Sequence, residues 1–184
     1  MFIQTETTPN PATLKFLPGR PVLEGATRDY RDDVSAGESP LASRLFGVSG
    51  VSGVFLADDF IAVTKEGGEW QHIKPALLGA IMEHFLSGDP VINAGGGEVA
   101  AEEFFDEADL ETVNTIKELI DTRVRPAVAQ DGGDITFRGF RDGVVFLNMQ
   151  GACAGCPSST MTLKHGIENL LRHFLPDVEE VRPV

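Results

Sequence analysis

Between residues 88 and 109 the chain loses every pattern that could belong to a core. Gly88-Asp89-Pro90 breaks the preceding helical periodicity, Gly95-Gly96-Gly97 offers no side chains to bury, and Glu102-Glu103, Asp106-Glu107 and Asp109 crowd acidic charge together. This composition predicts a flexible acidic and glycine-rich linker over 89–108 that runs into the first turn of the next helix, where acidic side chains suit the dipole. The chain has 184 residues. A break there leaves two small domains, 1–88 and 109–184, each of which must bury its own core.

The first block reads as α+β. Phe2-Ile3 and Thr13–Leu17 are short extended segments on either side of the turn signal Thr8-Pro9-Asn10-Pro11. Residues 20–38 are polar and turn-rich. Ser39-Pro40 reads as an N-cap with proline in the first turn, opening a helix through Phe46 that Gly47 stops. Val51–Leu56 and Phe60–Thr64 are strand-like. Ile73, Leu77, Ile81 and Phe85 recur every four residues and predict a helix from about Trp70 to Phe85.

The second block is also α+β. Leu110, Val113, Ile116, Ile120 and Val124 share a helical face, and Arg125-Pro126 should kink or end that helix. Asp131-Gly132-Gly133-Asp134 is a turn. Ile135–Phe140 and Val144–Met149 form a hairpin across Arg141-Asp142-Gly143. Val144–Leu147 is apolar on both faces, so this strand is expected to be covered on both. Gly151–Pro157 is a loop. The helix after it buries Leu163, Ile167, Leu170, Leu171 and Phe174 and ends at Pro176. Phe140, Phe146 and Phe174 are expected in the core. No repeat relates the two halves.

Charge excludes several functions. The net charge is −13, divided as −6 over residues 1–98 and −7 over 99–184. Repulsion from phosphates argues against nucleic acid and against anionic membrane surfaces. No apolar run is long enough to span a bilayer. Met1–Glu6 has neither a basic region leading an apolar core nor the Arg- and Ser-rich character of a transit peptide, which predicts a cytoplasmic protein beginning near Met1.

There are two cysteines, Cys153 and Cys156. A secreted disulfide framework needs several pairs at wider spacing, so this close pair points to metal, cluster or redox chemistry. Ala154 and Gly155 permit the tight turn that converges two sulfurs on one centre. Pro157 suits a helix start, whose dipole and free amides would favour thiolate. Two thiolates are half a site, because structural zinc and cubane clusters take four ligands. His165 lies nine residues beyond Cys156, about 13 Å along a helix, and His173 lies farther. His72 and His84 belong to the other block, at exposed or boundary helix positions. Two copies related by a two-fold axis supply four thiolates.

The stretch Gly151-x-Cys153-x-x-Cys156-Pro157-Ser158-Ser159, continuing through Thr162-Leu163-Lys164-x-Gly166-Ile167-Glu168 to Pro176-x-Val178, resembles the NifU C-terminal domain of the Nfu family, as does Asp131–Ile135 upstream. Phe2–Glu6, Thr8–Pro11, Leu14–Gly19, Val54-Phe55 and Phe60–Lys65 resemble the Nfu N-terminal domain. The resemblance implies a non-enzymatic scaffold or carrier of [4Fe–4S] clusters. Cys153 and Cys156 would serve as cluster and iron ligands, the cluster bridging two subunits and passing to apo iron–sulfur clients after supply by upstream assembly proteins. Two thiolates per chain also allow a bridged [2Fe–2S] form. Without a transit segment, a bacterial cytoplasmic protein is expected, with a mature mitochondrial form as the alternative.

Two rivals use the same residues. A dimer-bridged zinc site needs the same four thiolates. A thioredoxin-like dithiol oxidoreductase also places Cys-x-x-Cys at a helix start, but a helix and a hairpin lead into the pair here, and no βαβ neighbourhood is expected. Asp131 and Asp134 read as turn and strand-start residues rather than a cation site. Gly47-x-x-Gly50-x-x-Gly53 lacks the lysine and strand-to-helix context of a phosphate loop. Ser158 and Ser159 read as helix-capping residues, and Lys164 as a solvated charge able to offset that of a cluster.

Overall fold

A computed structural model describes residues 1–95, 102–154 and 157–184, with the side chains of 157–159 left out. The chain divides into two compact units, Met1–Glu98 and Val99–Val184.

In the first unit five antiparallel strands lie in the order β1-β2-β5-β4-β3. They are β1 (Gln4–Thr7), β2 (Thr13–Leu17), β3 (Arg28–Tyr30), β4 (Val51–Leu56) and β5 (Ile61–Lys65). Alternation puts Leu14, Phe16, Val54, Leu56, Ile61 and Val63 into one core with Leu41 and Leu45 of α1 (Pro40–Phe46) and Ile73, Leu77 and Ile81 of α2 (Trp70–Ser87). Ser39 caps α1 as its sequence predicts, its Oγ accepting from the Ala42 amide at 3.1 Å. Gly88 stops α2 at φ 77°, a left-handed conformation that costs a residue without Cβ little. The edge strand β3 escapes sequence reading because Arg28-Asp29-Tyr30 has no apolar alternation. It pairs with β4, and the Tyr30 hydroxyl donates to Glu38 Oε1 at 2.8 Å.

In the second unit α3 (Leu110–Leu119) passes through a π turn at Ile120–Val124 into α4 (Arg125–Gln130). The kink expected at Pro126 takes this form because proline lacks the N–H and crowds the carbonyl four residues back, which a widened turn relieves. Next come β6 (Gly133–Arg141), β7 (Val144–Gly151), α5 (Pro157–Phe174) and β8 (Glu180–Pro183). The β6–β7 hairpin turns at Asp142 and Gly143, both at positive φ, as Asp-Gly predicts. The sheet order is β6-β7-β8, with β8 parallel to β7. The helices cover one face through Val113, Ile116, Ile120, Val128, Ile167 and Leu171.

Three expectations need correction. β8 makes β7–α5–β8 a βαβ unit, so the neighbourhood thought missing is present; the polar Glu180-Val181-Arg182-Pro183 concealed it. Phe174 is 46% exposed, with the Arg123 guanidinium 5.5 Å over its ring. β7 is buried at every second residue only, leaving Val144 and Phe146 half-buried, with Phe104 against Phe146.

The stretch 89–108 is anchored at both ends. The Asn93 amide donates to the Glu38 carbonyl, and Ser39 Oγ donates to the Val91 carbonyl. Phe104 pairs with Gly139 on β6, donating to the Arg138 carbonyl and accepting from the Phe140 amide.

Candidate functional site

The site forms where β7 ends. Gly151 pairs with Gly133 at the start of β6, and its φ of 63° turns the chain off the sheet. The Ala152 amide then donates to the Gly132 carbonyl, and the Ala154 amide to the Gly151 carbonyl, both at 3.1 Å. This folds Gly151–Ala154 back over the Gly132-Gly133 turn. Thr160 in the first turns of α5 donates from Oγ1 to the Cys153 carbonyl at 3.1 Å, fixing the loop to the helix. The loop is thus held by strand register on one side and helix position on the other.

Cys153 is a free thiol, 6% exposed, packed into the core of the second unit. Its sulfur lies against Gly133, so closely that a Cβ there would collide with it. Burial pushes the thiol up to about 12, and the charges of Asp131 and Asp134 push in the same direction. This reverses the expectation of a thiolate favoured by a helix start. Cys153 precedes α5 by four residues and faces a core, where desolvation outweighs any dipole. Cys156 lies outside the described residues.

Asp134 proves to be more than a strand-start residue. It is 4% exposed and receives both Nε and Nη2 of Arg125, at 2.8 and 2.9 Å. Sequence reading missed this pair because nine residues and the π turn separate its members. Lys164 is partly shielded and lies 3.5 Å from Glu180. His72, His165 and His173 are exposed on their helices. His84 is fully buried in the first unit, contrary to expectation, and burial lowers its pKa. Among the described residues no three His, Cys, Asp or Glu side chains gather as a metal site. No described helix is long and apolar enough to cross a membrane.

Residues 3–88 match the domain family described as the scaffold protein Nfu/NifU N terminal, and residues 116–182 match the NifU-like domain. The whole chain is 50% identical to the human mitochondrial NFU1 iron–sulfur cluster scaffold homolog, spanning 72% of it. It is 53% identical to the Drosophila sechellia protein of the same name, spanning 65% of that chain. A solution structure of a NifU-like protein from Saccharomyces cerevisiae aligns over 50% of this chain and 83% of its own, at 30% identity and a TM-score of 0.45.

Proposed function

The chain belongs to the Nfu family of iron–sulfur cluster scaffold proteins, and from that premise we propose that it carries a cluster bridged between two copies of itself and passes it to apo-proteins. Cys153 and Cys156 of each copy are the ligands in this reading. The cargo in this reading is a [4Fe–4S] cluster, and a bridged [2Fe–2S] form satisfies the same thiolate count.

The observation that carries the reading is the setting of Cys153. The backbone that carries this sulfur is tied to Gly132 on one side and to Thr160 of α5 on the other, so one of the two ligands is presented from a fixed position. With two cysteines per chain, two chains supply the four thiolates a cubane takes. Metal binding deprotonates a coordinating thiol, so loading displaces the proton that burial otherwise keeps on Cys153. Client thiolates then replace Cys153 and Cys156 by ligand exchange, thiolate for thiolate, with no catalytic group required of this chain.

The βαβ setting removes topology as an objection to a dithiol oxidoreductase, but the thiol itself supplies one. Such an enzyme attacks through an accessible thiolate with a depressed pKa, whereas Cys153 is buried and pushed the other way. The matched relatives are designated mitochondrial, so the proposal covers a mature organelle form as well as the bacterial cytoplasmic one. Upstream cluster donors and apo clients are the expected partners.

Anaerobic reconstitution with iron and sulfide tests the reading. About two irons per chain in a coloured dimer are expected, with the colour lost in Cys153→Ala and transferred to an apo acceptor. A colourless monomer, stoichiometric zinc in an anaerobic preparation, or colour surviving Cys153→Ala would overturn it.

A further inference from the structure

Arg125 opens α4 directly after the π turn, which sets the phase of its side chain toward the start of β6. Both oxygens of Asp134 are engaged by the guanidinium fork, at 2.8 and 2.9 Å. The carboxylate is almost wholly buried, while Arg125 keeps partial access to water and also reaches Asp121 at 3.3 Å. Asp134 directly follows Gly133, the residue against which the Cys153 sulfur rests. A buried carboxylate therefore stands one residue from the thiolate loop. A cluster held by four thiolates adds further negative charge there, and in a site shielded from water such charges are poorly screened. Asp131 is exposed to solvent. For Asp134, Arg125 supplies the compensating charge.

We propose that Arg125 is a positioning residue for the cluster site: its fork on Asp134 holds the Gly132-Gly133 turn under Cys153 and cancels a buried carboxylate beside the bound cluster. The inference rests on the cluster-carrying reading. A planar two-point fork suits both tasks, because it fixes the carboxylate's orientation as well as its charge, which a lysine ammonium does not.

The test uses the full chain, reconstituted anaerobically with iron and sulfide, as wild type, Arg125→Met, Arg125→Lys, Asp134→Asn and the double variant Arg125→Met/Asp134→Asn. Three quantities are read: melting of the iron-free protein, half-life of the cluster absorbance under an iron chelator, and the cluster's midpoint potential. Arg125→Met is expected to shorten the half-life roughly tenfold, since it takes the guanidinium charge from a buried carboxylate. It should also shift the potential negative, because an added electron meets an uncompensated carboxylate. Asp134→Asn should shift it positive, and the double variant should return it to the wild-type value. Arg125→Lys should keep the potential while shortening the half-life. A merely structural clamp would lower melting, leave the potential of the loaded fraction unchanged and show no restoration in the double variant, and that result would overturn the inference alone. A wild-type protein that takes up no cluster overturns the parent reading along with it.

Discussion

Gly133 and the Cys153 sulfur share a space that a single Cβ would fill. A methyl group placed on Gly133 would also approach the Gln150 carbonyl oxygen to 2.8 Å and the Cys153 amide nitrogen to 3.0 Å. Two of these three neighbours are backbone, in a hairpin and in a loop held by its own hydrogen bonds, so the site cannot yield by rotating a side chain. Gly133→Ala is therefore expected to displace the Cys153 loop. Overpacking of this kind costs about 1–3 kcal/mol, read as a lower denaturation midpoint of the iron-free protein, together with loss of most of the reconstituted cluster. Full cluster loading in Gly133→Ala would show that the sulfur tolerates displacement.

The Cys153 thiol gives the iron-free protein an alkaline weakness. Its pKa is raised from an ordinary value near 9 to about 12, chiefly by burial. Between those values the unfolded chain releases the proton and the folded chain keeps it, so stability falls as pH rises through that window. Cys153→Ala removes this dependence and leaves every other ionisable group in place. The stability gap between wild type and Cys153→Ala, measured by urea unfolding of the iron-free proteins, should narrow steadily from pH 8.5 to 11. A gap that is constant with pH would mean that the thiol is hydrated.

The parts of this fold that sequence reveals are those written in short periods. Ser39-Pro40 announces α1, the four-residue spacing from Ile73 to Ile81 announces α2, and Asp142-Gly143 announces the hairpin. What stayed hidden depends on distant partners. β3 and β8 are polar edge strands, made strands by β4 and β7 beside them rather than by their own propensity. Missing β8 concealed the βαβ unit around the cysteine loop. Local sequence marked Cys153 as a candidate ligand, but its contact with Gly133, twenty residues earlier, and the Arg125–Asp134 pair beside that glycine depend on the fold. The spacing of Cys-x-x-Cys holds no information about either.

His84 should make the first unit sensitive to acid. The ring is fully buried, and neither nitrogen has a hydrogen-bond partner among the described residues. Its pKa is lowered by burial first and by the nearby Arg44 charge second, with Asp89 opposing. The unfolded chain takes up the proton below pH about 6.5 and the folded chain resists it, so stability present above that pH is lost as pH falls. His84→Met, similar in volume and without unpaired nitrogens, should cost less than about 1.5 kcal/mol at pH 7 and flatten the acid limb of the first unit's unfolding curve. An acid limb identical to wild type would assign the sensitivity to other groups.

Gly79 in α2 and Gly166 in α5 lie inside 18-residue helices, and a Cβ at either would meet nothing within 4 Å. Neither glycine serves a turn or a close approach within its own described surroundings, so each weakens its helix through backbone entropy alone, by roughly 0.5–1 kcal/mol relative to alanine. Gly79→Ala should raise the denaturation midpoint of the first unit and Gly166→Ala that of the second. The two substitutions lie in separate compact units with separate cores, so in the double variant each unit should keep its own gain. Urea unfolding followed by amide exchange resolves the units. A loss of stability in Gly166→Ala, with Gly79→Ala behaving as expected, would mean that the open face of α5 is occupied in solution by something a methyl group obstructs.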